Sequence, residues 1–177
     1  MKKFILTAQE KLKTVFTNEH SFQIPKFQRE YSWADEHVEK FWDDLFTHYN
    51  EDAPTEYYFG TLILVDRDDG GDNFYVIDGQ QRLTTSMVLL ALIRDLHLEL
   101  GNTSDAEVVN SYLYNEDTKQ QILSLSRNNE DFFNDVVLPP EPSVDKDVKC
   151  KNVALRNKAL RDCYTNLRKF ITEELTK

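Results

Sequence analysis

Residues 74–85 read Phe74-Tyr75-Val76-Ile77-Asp78-Gly79-Gln80-Gln81-Arg82-Leu83-Thr84-Thr85. Phe74 to Ile77 is rich in aromatic and β-branched side chains and predicts a strand. Asp78-Gly79 predicts a tight turn. From Leu83 to Leu100 the pattern predicts a helix, ended by Gly101-Asn102. Its middle, Met87 to Ile93, is apolar on nearly every face, as in a helix buried at the centre of a domain. Strand, turn and central helix fix where the other elements must pack.

Upstream, Thr7 to Phe16 predicts a short helix, with capping-box spacing at Thr7 and Glu10. Ser21 to Ile24 predicts a strand, stopped by Pro25. Pro25 to Trp33 has no clear period and reads as an irregular loop. Val38, Phe41, Trp42, Leu45, Phe46 and Tyr49 recur at three-four spacing, which predicts an amphipathic helix over 35–49. Tyr57 to Asp66 is a β-rich run that pairs with the 74–77 strand around the turn Arg67–Asn73.

Downstream, Ser104 to Tyr114 predicts a helix with a capping box at Ser104 and Glu107. Ile122 to Ser126 reads as a short strand and Glu130 to Val137 as helix. Leu138 to Asp147 is Pro-rich and reads as a linker or long loop. Leu160, Cys163, Tyr164, Leu167, Ile171 and Leu175 form the stripe of a last helix within 148–177, which needs something to pack on. The class is α+β: a small mixed sheet packed by helices, spanning about 1–137, with a helical C-terminal part.

The 177 residues, 40% hydrophobic and 29% charged, suffice for one domain with a real core. The formal net charge of −10 repels phosphate backbones. That argues against tight, non-specific nucleic-acid binding by this chain alone, although a local basic pocket is compatible with it. The two cysteines, Cys150 and Cys163, stand far apart, against a disulfide framework or a zinc site. With no signal-peptide pattern at the start, the expected compartment is the reducing cytoplasm. The apolar run 87–93 is far too short to span a membrane.

The turn at Asp78–Arg82 has two readings. In the structural one, Asp78 and Gln81 form a capping box at the helix start. In the other, the helix N-terminus is a phosphate site. Gly79 lets the backbone approach a ligand closely. Arg82 is a cation in the first helical turn, where the helix dipole disfavours it unless an anion is present. Its guanidinium suits a phosphate oxygen, and Thr84 and Thr85 add hydroxyls. The pattern is not a Walker loop. A second cluster, Gln28-Arg29-Glu30-Tyr31-Ser32-Trp33, places an arginine beside two aromatics. Arg29 can hold a phosphate and the rings can stack on a base, or Tyr31 and Trp33 simply anchor the loop.

Taken together, Ile24–Trp33 (IPKFQREYSW), Tyr57–Leu64 (YYFGTLIL) and Tyr75–Ile93 (YVIDGQQRLTTSMVLLALI) resemble the N-terminal domain of GmrSD-type modification-dependent restriction proteins. Ile122–Phe133 (ILSLSRNNEDFF) looks like a later block of the same family. The resemblance implies a ParB/sulfiredoxin-like fold. It also implies a cleft between the Gln28-Arg29 loop and the Asp78–Arg82 turn that binds, and in some members hydrolyses, a nucleoside triphosphate with a divalent metal. Nucleotide state would control a nuclease domain, in cis or in trans. The setting would be defence against phage DNA with modified bases or backbone, contacted through the full-length protein.

Carried onto this sequence, the resemblance implies nucleotide-binding roles for Gln28, Arg29, Tyr31, Trp33, Gly79, Gln80, Arg82, Thr84 and Thr85. Arg29 and Arg82 would hold the phosphates. Asp78 would hold Mg²⁺ or polarise the attacking water, and Gln81 would orient it. The four histidines, His20, His37, His48 and His97, are scattered and form no nuclease motif. The chain is therefore expected to be a fragment of a longer protein or a stand-alone regulatory domain. Two other classes stay open. A metal-dependent nuclease could draw on Asp66, Asp68, Asp69, Asp72 and Asp78, though the first four also read as a solvated acidic turn. A non-catalytic module could bind modified DNA or a protein. A sulfiredoxin-like reductase is excluded, because no cysteine stands in Asp78–Arg82.

Overall fold

The computed structural model describes residues 11–16, 20–50, 58–67, 73–126, 128–140 and 158–176. Its elements are α1 Leu12–Val15, β1 Ser21–Gln23, α2 Asp35–Asn50, β2 Ile63–Asp66, β3 Asn73–Asp78, α3 Gln80–Glu99, α4 Thr103–Asn110, β4 Leu123–Ser124, α5 Asn128–Phe132 and α6 Lys158–Leu175. The class is α+β, as the pattern predicts.

The four strands form one mixed sheet in the order β2-β3-β1-β4. β2 and β3 pair antiparallel, as expected for a hairpin. β1 runs parallel to both β3 and β4, with Phe22 opposite Phe74 and Leu123. Parallel neighbours need a crossover, and α2 lies in the first and α3 in the second. The 25–33 segment is irregular, as its lack of period predicts.

α3 is the centre of the fold. Leu83, Met87, Val88, Ala91 and Leu92 are fully buried, in line with its apolar middle. It packs against α4 and α6, and α6 also packs on α2. Leu160, Cys163, Tyr164, Leu167 and Ile171 of α6 are buried in the same core as Phe22, Val76 and Phe132. The last helical stripe thus finds its cover within the chain, except Leu175, which is exposed.

Several boundaries differ from expectation, each for a local reason. α3 begins at Gln80, three residues before Leu83, because Gly79 is its N-cap at φ 86°. That left-handed conformation turns the chain straight from strand to helix. Asp78 is still the last strand residue and is exposed, so the Asp78–Gln81 capping box does not form. α4 begins at Thr103 after Asn102, which puts Ser104 inside the helix, and the Ser104–Glu107 box does not form either. That helix stops at Asn110, and Tyr114 instead makes an isolated bridge to Gln121.

Among the described residues of the 57–66 run, only Ile63–Asp66 are strand. The carbonyls of Phe59 and Thr61 accept from the Arg82 guanidinium, so this part leaves the ladder. β1 and β4 are shorter than the runs 21–24 and 122–126. The 130–137 segment divides into α5 and a π-helical turn, Phe133–Val137, closed by Leu138 N–H to the Phe133 carbonyl at 2.9 Å. Leu138 is buried. Residues 141–147 of the expected linker, the Thr7–Glu10 cap and Asp68–Asp72 lie outside the described residues.

Candidate functional site

The two sequence clusters, about fifty residues apart, meet at the N-terminus of α3. Gln81 holds the 30–32 backbone with both ends of its carboxamide. Its Oε1 accepts from the Ser32 N–H at 2.9 Å, and its Nε2 donates to the Glu30 carbonyl at 3.1 Å. Gln80 Nε2 donates to the Arg29 carbonyl at 3.3 Å. Gln28 Nε2 donates to the Ile77 carbonyl at 3.0 Å, which ties the loop to the end of β3. Three glutamines therefore stitch the 28–32 loop across the strand–helix turn.

Beneath the loop, Tyr31 is buried and its hydroxyl lies 2.8 Å from Thr85 Oγ1. Thr85 uses its one hydroxyl proton on the Gln81 carbonyl at 2.9 Å, so Tyr31 is the donor of the shared bond. The Tyr31 hydroxyl also faces the Cys163 thiol of α6. Burial pushes the Tyr31 phenol well above its ordinary range, and Cys163 raises it further. Burial pushes the Cys163 thiol up to about 12, against smaller opposing effects of Tyr31 and Thr85. Trp33 packs on Phe41 with ring centroids 5.9 Å apart. For Tyr31 and Trp33 the anchoring role is thus the one seen.

Arg82 points elsewhere. Its Nη1 donates to the Phe59 carbonyl at 2.9 Å and its Nη2 to the Thr61 carbonyl at 2.7 Å. It lies against Gly60, where a Cβ would stand 1.4 Å from Nη1. The tyrosine- and glycine-containing run around Gly60 is thereby fitted to the arginine of the turn. Both partners are neutral carbonyls, so the Arg82 charge has no acidic partner among the described residues. The same holds for Arg29, whose side chain is exposed on the loop.

A small cleft lies between loop and turn. Arg29, Gln80, Gln81 and Thr84 line it, with Ser126 and Asn129 opposite. Tyr31 and Glu30 contribute from the loop. Its free volume is about 10 Å³, room for about one water. Of the expected site residues, Arg29, Tyr31, Gln80, Gln81 and Thr84 are brought together here. Gln28, Trp33, Asp78, Gly79, Arg82 and Thr85 do not line it. Ser126 and Asn129 are not among the site residues that the sequence marks. Their signal was the 122–133 block, whose short strand and helix carry them to the cleft wall.

Asp78 is an exposed carboxylate at the end of β3. Among the described residues no three His, Cys, Asp or Glu side chains converge to hold a metal. Among the described residues, no helix is long and apolar enough to cross a membrane.

Among curated proteins, no sequence matches this one. A family model described as the GmrSD restriction endonuclease N-terminal domain matches residues 12–176, which includes both clusters, the cleft wall and α6. With nearly all of its length matched by that one model, the chain belongs to the family of GmrSD restriction endonuclease N-terminal domains.

Proposed function

We propose that this restriction-protein domain is a nucleoside-triphosphate receptor whose phosphates bind where the 28–32 loop meets the N-terminus of α3. One observation carries the reading. A twenty-residue helix starts at the cleft with no side-chain cap, beside an exposed arginine that has no acidic partner among the described residues. The first N–H groups of such a helix are unpaired within it, and its dipole favours an anion. Arg29 supplies an exposed guanidinium at the rim. Arg82 adds unneutralised positive charge from behind, while its fork holds the 59–61 backbone. On a chain of net charge −10, this is a local basic spot within an acidic surface.

Gln81 and Gln28 act through the loop they hold, as positioning residues. Mg²⁺ would arrive with the triphosphate, and Asp78 is the carboxylate we assign to it. Hydrolysis, control of a nuclease domain in cis or in trans, and contact with modified DNA through the full-length protein extend the same proposal, in a cytoplasmic defence setting.

A thermal-shift screen of ATP, GTP, CTP and UTP with Mg²⁺ tests it on the wild type and on Arg29→Ala. A ligand at a hundred times its Kd stabilises by about 2.7 kcal/mol, roughly 5–10 °C for a domain of this size. One nucleotide should shift the wild type and shift Arg29→Ala far less. A folded wild type that no nucleotide shifts overturns the proposal.

A further inference from the structure

The inner wall of the cleft differs chemically from its rim. Gln80 is only 6% exposed, and its Nε2 is committed to the Arg29 carbonyl. Its Oε1 is buried with no hydrogen-bond partner among the described residues. Turning the carboxamide over would set oxygen against a carbonyl, so the orphaned atom is an acceptor. An acceptor needs an O–H or N–H donor. The ionised oxygens of a phosphate chain offer none.

Across the cleft, Asn129 is also 6% exposed. Its carboxamide forms no hydrogen bond among the described residues, and the Ser126 hydroxyl lies on the same wall. The charged members of the lining, Arg29 and Glu30, sit on the more exposed loop. The free volume of about 10 Å³ fits one hydroxyl and excludes a base or a phosphate.

Resting on the nucleotide reading above, we infer that Gln80, Ser126 and Asn129 form a hydroxyl-reading subsite. It takes a ribose hydroxyl of the nucleotide, while the phosphates stay at the rim on Arg29. A hydroxyl both donates to Gln80 Oε1 and accepts from the Asn129 carboxamide. Ser126 and Asn129 are then ligand-contacting residues. The subsite makes the domain a reader of nucleotides that carry a ribose hydroxyl against their 2′,3′-dideoxy counterparts.

Isothermal titration calorimetry on the 177-residue chain decides it. The probes, each with Mg²⁺, are the ribonucleoside triphosphate giving the largest thermal shift, its 2′,3′-dideoxy analogue and inorganic tripolyphosphate. The wild type should bind the dideoxy form at least about tenfold more weakly, since a buried polar site rejects an analogue that leaves it unpaired. In Asn129→Leu and Gln80→Met, checked for folding by circular dichroism, the two forms should bind alike. Equal affinities on the wild type, or tripolyphosphate binding as tightly as the nucleotide, overturn the subsite and leave the phosphate reading standing. If tripolyphosphate and all four nucleotides fail to bind, both readings fall. The comparison on the wild type needs no variant to fold.

Discussion

Gly60 and Arg82 define each other. Gly60 sits at φ 102°, a conformation that side-chain-bearing residues rarely adopt, and the arginine fork closes over it. Gly79 is under the same pressure, since a Cβ there would lie 2.3 Å from Leu62 Cδ2. Gly60→Ala should therefore cost more than about 2 kcal/mol, from backbone strain and from the displaced guanidinium. Arg82→Ala removes two hydrogen bonds to carbonyls. Because both changes break one contact, the double variant should lose less stability than the two single losses added together. Urea denaturation of the four proteins measures this. Strict additivity would mean that Arg82 does not rest on Gly60. At this scale the turn shows that a motif residue can be needed for structure before any ligand arrives.

α3 also carries a buried ion pair that periodicity does not announce. Arg94 and Asp95 are 1% and 0% exposed, with Arg94 Nη2 2.8 Å from Asp95 Oδ1. The same guanidinium donates to Asn110 Oδ1 and to the Leu138 and Pro139 carbonyls, at 3.0, 2.7 and 2.9 Å. It thereby satisfies carbonyls at the end of the π-helical turn and ties α3 to α4. Arg94→Met strands a buried carboxylate and should destabilise by about 3–5 kcal/mol. Arg94→Met with Asp95→Leu should recover a substantial part of that loss, because no buried charge is then left alone. Thermal melts of both decide it, and a double variant no better than the single one would contradict the account. The element types were largely legible because α2, α3 and α6 carry strong apolar periods and β2–β3 a clear hairpin signal. What stayed hidden depends on long-range partners. Gln81 reads as half of a capping box until Ser32 is seen to take its oxygen. The 57–62 run reads as strand until Arg82 draws its carbonyls away. The cleft showed the same limit: both clusters stood out in sequence, whereas Asn129 joined them only through the crossover that brings β4 beside β1.

Over the whole molecule, one line of buried polar contacts runs from α6 to the cleft. The Cys163 thiol faces the Tyr31 hydroxyl, Tyr31 donates to Thr85, and Thr85 donates to the Gln81 carbonyl. Its members come from the C-terminal helix, the 28–32 loop and the central helix. The loop that frames the cleft is thus held by the last helix as well as by the glutamines. Its anchor is buried and neutral, which gives it a defined pH limit. An unfolded thiol titrates near its ordinary value of 9.0, while the folded Cys163 is pushed up to about 12. Between those values the unfolded chain gives up a proton that the folded chain keeps. Stability from this group is therefore intact below about pH 9 and falls as the pH rises toward 12, by at most about 1.4 kcal/mol per pH unit. Tyr31, also raised, adds to the fall above its ordinary value of 10.0. The stabilisation of wild type over Cys163→Ala, from urea midpoints at pH 7, 8.5, 9.5 and 10.5, should hold steady to about pH 9 and then shrink. If the difference stays constant through pH 10.5, Cys163 does not keep its proton in the folded chain, and the contact between α6 and the cleft loop is not a neutral one.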